Sequence, residues 1–226
     1  MGKRIFTDAW LRPISADEAV RMVKLVGELG FSAIAIEGND EIFRAASEAA
    51  SQLGLELFRR KTINVNLREM LYEELSRHRW YYDLISVRSD QREVLMAALR
   101  DNRVDTVLLS HSSAPFIDHH MVSVANNLVE VALSDILEYG YESFYRVMKL
   151  APYLRKNRIR VIMTSGASEI SGIRTPRQLA SVMLAIGVHP DMALDTVSGK
   201  IIELLRENRE KLKGLLEPTG VWRIEG

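Results

Sequence analysis

The sequence predicts one α/β domain built as a parallel (β/α) barrel of the TIM type, irregular or incomplete, with about seven strands and extra C-terminal helices. Three observations predict it. Apolar runs of strand length alternate with segments of helical period along most of the chain. The strands are almost continuously apolar, as in a parallel sheet covered on both faces. A length of 226 residues suits one barrel better than two smaller domains. An open doubly wound sheet is the competing architecture.

Taken in order, residues 5–10 open as a short strand. Ser15-Ala16-Asp17-Glu18 reads as a capping box for a helix that Gly30 stops. A second strand covers 33–37, with a helix over 40–53. The third strand lies within 55–65 and carries Arg59-Arg60-Lys61. Asn66 is expected to cap the following helix, which reaches about Ser76. Strands at 84–88 and 106–110 flank a helix over 91–100. A helix near 118–127 leads to the sixth strand at 128–133. The segment 141–157 is helical, with an expected break at Ala151-Pro152. The seventh strand, 159–164, ends in Ser165-Gly166-Ala167-Ser168. Thr175-Pro176 then starts a helix with Thr as cap and Pro in the first turn. Beyond Gly187 only helix is expected, over 191–197 and 200–216, and no eighth strand. Residues 1–216 read as one domain and 217–226 as a tail in which Val221 and Trp222 can dock.

Composition bounds the function. Hydrophobic residues make up 47% and charged residues 27%, ordinary for a globular chain. Without cysteine there is no disulfide, no thiolate nucleophile and no thiolate metal site. The opening Met1-Gly2-Lys3-Arg4-Ile5 turns polar at Thr7-Asp8, so no signal peptide is expected. No apolar run approaches the ~18 residues of a membrane span, and a cytoplasmic location is expected. Formal net charge is zero. Nucleic-acid binders usually carry positive excess, so any contact with RNA must come from a local patch or with added partners.

Barrel function sits at the C-terminal strand ends. Here these hold Asp8, Glu37, Arg88, Asp90, Ser110, His111, Asp118, Ser165 and Ser168. Asp8, His111 and Asp118 suggest a metal-dependent phosphoesterase. However, the position after the first strand lacks a His-x-His pair, and His119-His120 reads more plainly as the opening of a surface helix. The turn Ser165-Gly166-Ala167-Ser168 can offer backbone N–H groups to a phosphate; the alternative is a tight turn that needs small residues. Arg88, Arg92, Arg174 and Arg177 suit bidentate phosphate contacts, with salt bridges as the rival explanation. Three basic stretches also stand out: Arg59-Arg60-Lys61, Arg77-His78-Arg79-Trp80-Tyr81-Tyr82, and Arg155-Lys156-Asn157-Arg158 with Arg160. The second mixes aromatics and cations as base-stacking surfaces do, though such runs are usually solvated surface.

Several stretches resemble ribonuclease P protein component 3. They are Phe6-Thr7-Asp8-Ala9, Leu84-Ile85-Ser86-Val87-Arg88-Ser89-Asp90 with Arg103-Val104-Asp105, and the Glu130-bearing sixth strand. The fullest is Met163-Thr164-Ser165-Gly166-Ala167-Ser168 followed by Ile173-Arg174-Thr175-Pro176-Arg177-Gln178-Leu179 and Gly187. The resemblance spans about residues 4–205. It implies an irregular barrel and a non-catalytic subunit of the ribonucleoprotein that cleaves the 5′ leader from precursor tRNA. It implies that the RNA supplies the active site with its Mg2+, that the chain itself holds no cofactor, and that a small protein partner and other protein subunits accompany it. On this reading Arg88, Arg92, His111, Arg174 and Arg177 form an RNA-facing rim, with Ser165 and Ser168 bounding a backbone phosphate contact. A pure protein-interaction scaffold is the remaining rival.

Overall fold

The computed structural model describes residues 4–214. One parallel sheet carries its strands in chain order: β1 (Thr7–Leu11), β2 (Ala33–Ile36), β3 (Glu56–Asn64), β4 (Leu84–Arg88), β5 (Thr106–Leu108), β6 (Leu128–Ala132) and β7 (Val161–Thr164). Except for β3 and the end of β4, the strands are buried throughout, as two covered faces require. Around them lie α1 (Ala16–Glu28), α2 (Asp40–Leu53), α3 (Arg68–His78), α4 (Arg92–Arg100), α5 (His119–Val124), α6 (Leu133–Tyr139), α7 (Tyr141–Arg155), α8 (Pro176–Ala185), α9 (Pro190–Asp195) and α10 (Lys200–Leu212).

Local chemistry accounts for several helix starts. The Ser15 hydroxyl accepts from Glu18 N, and Thr175 with Gln178 forms a complete capping box at α8. Three expectations need correction. Asn66 does not cap α3; its Oδ1 accepts from Ser89 Oγ and Asp90 N instead (both 3.0 Å), tying the β3 and β4 exits together. Pro152 does not break α7, which runs on to Arg155. The proline sits in the last turns on an exposed face, where only one helical donor is forfeited. The sixth strand stops at Ala132, and α6 follows it with no loop between, an element the sequence reading missed. The Val221–Trp222 docking and the stretch beyond residue 214 lie outside the described residues.

The ring is nearly closed without an eighth strand among the described residues. Residues 196–198 stand in for one. Thr7 N donates to Val197 O (2.9 Å), Met163 N donates to Thr196 O (2.8 Å), and Phe6 bridges Ser198 in antiparallel sense. Further along, Leu11 pairs with Ala167, and Arg12 N donates to Ala167 O (2.7 Å). Between these contacts the Asp8 carboxylate accepts from Ser165 N (3.1 Å).

The extra C-terminal helix forms the floor of the barrel. Ile201, Ile202 and Leu205 of α10 bury against Ala33, Phe58, Leu84, Leu128 and Ile162 at the N-terminal ends of the strands. Asn208 Nδ2 donates to Asp83 O (2.9 Å) and Asp105 Oδ1 (2.8 Å), which anchors the helix across that mouth.

Candidate functional site

Above this floor the barrel is filled by a polar network. Arg60 of β3 and Glu130 of β6 form a bidentate pair, Nη1–Oε1 2.7 Å and Nη2–Oε2 3.0 Å. Neither side chain is exposed. Ser86 Oγ and Thr106 Oγ1 each donate to Oε2 at 2.8 Å, Thr164 Oγ1 donates to Oε1 at 3.0 Å, and Arg60 Nη1 also reaches Ala9 O at 2.9 Å. Two buried charges are tolerable here because hydrogen bonds replace the lost water on both. Trp10 lies over the Arg60 guanidinium, 4.3 Å from ring centroid to Cζ, with Arg12 at 4.7 Å from the same ring. Its Nε1 donates to Glu37 Oε2 (2.8 Å), and Glu37 Oε1 accepts from Thr62 N (2.7 Å). The barrel interior is therefore filled and hydrogen-bonded by the chain's own side chains as far as Trp10.

The C-terminal rim has a different character. Arg88, at the end of β4, keeps a quarter of its side chain exposed, and its nearest carboxylate oxygen is Asp135 Oδ1 at 3.9 Å. Asp135 accepts from Ser110 Oγ, and burial lifts its carboxyl above the ordinary range. Arg12 Nη2 donates to Gly166 O (2.8 Å). Gly166 has φ 61°, and a Cβ there would collide with the Ser134 hydroxyl, so the turn after β7 does require glycine. Arg174 Nη1 donates to Ser171 O (2.6 Å) and Ile173 O (2.8 Å), while Arg177 is exposed; neither forms an ion pair among the described residues.

The predicted site residues thus divide. Arg88, Arg174, Arg177 and Ser168 reach solvent on the rim. Arg92 is exposed but held by Asp118, Nη2–Oδ2 2.7 Å. His111 is fully buried, with Nδ1 3.2 Å from Ser113 Oγ and Nε2 without a partner among the described residues. Burial and the Arg88 cation push its pKa down to about 4, so the ring is neutral at neutral pH. Ser165 is buried too. Its hydroxyl donates to Trp10 O and accepts from Ala167 N, and its N–H donates to Asp8. The amides of Ser165 and Ala167 are thereby committed inside the turn, and no phosphate can take them without displacing those bonds.

The profile of the RNase P subunit p30 family matches residues 7–213, nearly the whole described barrel. The chain belongs to the RNase P subunit p30 family. Ribonuclease P protein component 3 of Methanococcoides burtonii is 23% identical over 221 residues, covering 92% of this chain and 90% of that protein. A chain from a cryo-EM structure of archaeal ribonuclease P with mature tRNA superposes with a TM-score of 0.76 at 16% identity, covering 97% of this chain and 98% of that one. At that identity the likeness concerns the fold.

In this p30-family barrel the phosphoesterase alternative finds no support. Asp8 sits in the β1–β7 seam, His111 beside Ser113 and Asp90, and Asp118 on Arg92. Among the described residues no group of three or more His, Cys, Asp or Glu side chains is arranged to hold a metal ion. The basic stretches are also redirected. Arg60 is interior, Arg59 pairs with Asp40 (2.9 Å), Arg79 is buried on Asp105 (2.6 Å), and Arg77 is shared by Glu73 and Glu74. The stretch 155–160 precedes β7 and so lies at the opposite end of the barrel from the rim. Two rim cations were missed by sequence reading, Arg12 and Arg146. Arg12 follows β1 directly, a position the strand-end rule could have flagged. Arg146 lies inside α7 and reaches the rim through Ala114 O (2.7 Å), which no sequence signal announces.

Proposed function

We propose that this p30-family subunit of ribonuclease P meets RNA through its C-terminal rim and contributes no active site of its own. One observation carries the reading: the barrel interior is closed by a satisfied Arg60–Glu130 network, while on the rim Arg174 and Arg177 form no ion pair among the described residues and Arg88 meets Asp135 only at 3.9 Å. On this reading Arg88, Arg174 and Arg177 contact phosphates, Ser168 borders the same surface, and Arg92 joins them when an RNA phosphate displaces Asp118 from it. His111 and Ser165 support that surface from beneath rather than touching it. The catalytic RNA, with its Mg2+, performs 5′-leader cleavage of precursor tRNA, and a small protein partner with further subunits completes the particle in the cytoplasm. No helix among the described residues is long and apolar enough to cross a membrane.

The zero net charge makes the test informative, because global attraction is small. Titrating ribonuclease P RNA over a range of salt should show a slope that shrinks by about one ion for each of Arg88→Ala, Arg174→Ala and Arg177→Ala. Unchanged slopes for all three variants would contradict the placement.

A further inference from the structure

Beside the rim arginines stands a surface that the reading above does not use. Phe116 lies in the segment after β5, and Tyr141 and Tyr145 occupy successive turns at the start of α7. Tyr141 and Tyr145 stack with centroids 5.8 Å apart and planes 19° off parallel. Phe116 meets Tyr145 edge-on at 5.6 Å. Two cations cover the flanks: Arg146 Cζ is 4.8 Å from the Phe116 centroid, and Lys149 Nζ is 4.7 Å from that of Tyr145. Arg146 is held flat by Ala114 O (2.7 Å) and Glu142 O (3.0 Å). Neither cation forms an ion pair among the described residues.

The exposure runs against what a folded chain needs from such residues. Tyr141 is 74% exposed and Phe116 46% exposed, so stacking them serves the fold little. The cations lie against the rings and keep charge available at the edge of the stack. That is the complement of an unpaired nucleotide, whose base offers a π-face and whose phosphate offers charge. A protein partner would instead have to bury two cations or bring carboxylates of its own. The platform also adjoins the rim, because α7 is pinned there by Ser143 Oγ donating to Ser110 O, and both Arg88 and Arg146 lie close enough to His111 to depress its pKa.

We infer that Tyr141, with Tyr145 and Phe116 behind it and Arg146 and Lys149 at its edges, is a stacking platform for an unpaired base of the RNA. This rests on the RNA-facing reading of the rim. It assigns the platform to single-stranded RNA and not to duplex, whose bases are already stacked.

The test uses the full chain and two probes, a fluorescent oligouridine strand and an RNA duplex of equal length. The single strand should bind more tightly than the duplex. Tyr141→Ala should weaken single-strand binding roughly tenfold or more with the salt slope unchanged, and Tyr141→Phe should restore it. Lys149→Gln should instead lower the slope by about one ion. In the particle assembled on ribonuclease P RNA, 4-thiouridine crosslinks should reach Tyr141 from unpaired positions. Equal binding of strand and duplex, no binding of the strand, or wild-type affinity of Tyr141→Ala would overturn the inference. So would a Tyr141→Ala variant that loses only an added protein subunit, which would make the surface a protein interface. If Tyr141→Ala is silent while Arg174→Ala still weakens binding of ribonuclease P RNA, the platform fails and the rim stands. If both are silent, the RNA-facing reading fails with it.

Discussion

Arg60 and Arg88 sit on neighbouring strands and meet opposite fates. Arg60 points into the barrel, where Glu130, Ala9 O and Thr62 satisfy its donors and Trp10 covers it. Arg88 stands at the mouth, with its nearest carboxylate oxygen 3.9 Å away. The first is chemistry completed within the fold, and the second is charge kept open at its edge. A barrel enzyme commonly keeps open polar groups at this mouth, above a packed interior. Here a closed network rises from the interior as far as Trp10, and the open charge stands at the rim, the surface proposed above to meet RNA.

The comparison can be broken most sharply from the inside. Glu130→Ala leaves Arg60 charged and buried, which should cost about 3–5 kcal/mol in urea denaturation. Replacing both members by apolar residues of similar volume should recover most of that loss. A cost below about 1 kcal/mol for Glu130→Ala would mean that water already reaches the pair and the interior is not closed.

The next largest effect is in pH dependence, where two buried groups under the rim oppose each other. Asp8 holds its proton up to about 6 through burial, against an ordinary 3.8, so acidification through that window favours the folded chain. His111 does the reverse. Its pKa of about 4 lies below the ordinary 6.5, so the unfolded chain takes up the proton first and acidification disfavours the fold. Asp105 and Asp135, raised by burial, lean the same way as Asp8. Asp8→Asn should therefore weaken the arm that opposes His111, so that stability falls more steeply on acidification between pH 6.5 and 4 than in the unsubstituted chain. His111→Gln should give the opposite trend. Parallel pH profiles for the two variants would show that these groups are not buried as described.

Rim variants should separate binding from folding. Arg174→Ala and Arg177→Ala should change stability by no more than about 0.5 kcal/mol while each reduces the salt slope for RNA. The smallest effect is expected at Asp118→Asn. It releases Arg92 from an exposed, solvent-screened pair and should raise RNA affinity by less than about tenfold. A fall in affinity would place Asp118 rather than Arg92 in contact with RNA.

Most of the frame was legible because it depends on local pattern. Apolar runs marked all seven strands, and Ser15, Thr175 and Pro176 marked their helix starts by residue type. What escaped detection depends on contacts distant in sequence. Arg60 sits between Arg59 and Lys61, and only the alternation of the strand turns it inward toward Glu130, 70 positions away. Asn66 had the residue type of a cap but was claimed by Ser89 and Asp90, just past β4. Helix α6 follows β6 without a turn residue, so no punctuation revealed it. Of the candidate site, Arg88 was legible from its strand end, and Arg174 and Arg177 as arginines in the segment after the seventh strand. His111 and Ser165 were legible as strand-end residues but not as buried ones, because burial there is set by Ser113, Asp90, Trp10 and Asp8 together.

The central claim is that a closed barrel serves ribonuclease P through its rim. It is tested most directly by precursor-tRNA cleavage in a particle reconstituted at limiting Mg2+, with this chain present, absent, or carrying Arg88→Ala, Arg174→Ala and Arg177→Ala together. The account predicts no cleavage by the chain alone, a sharp loss when it is omitted, and a comparable loss with the triple variant although it remains folded. Cleavage by the isolated chain, or full activity with the triple variant, would contradict it.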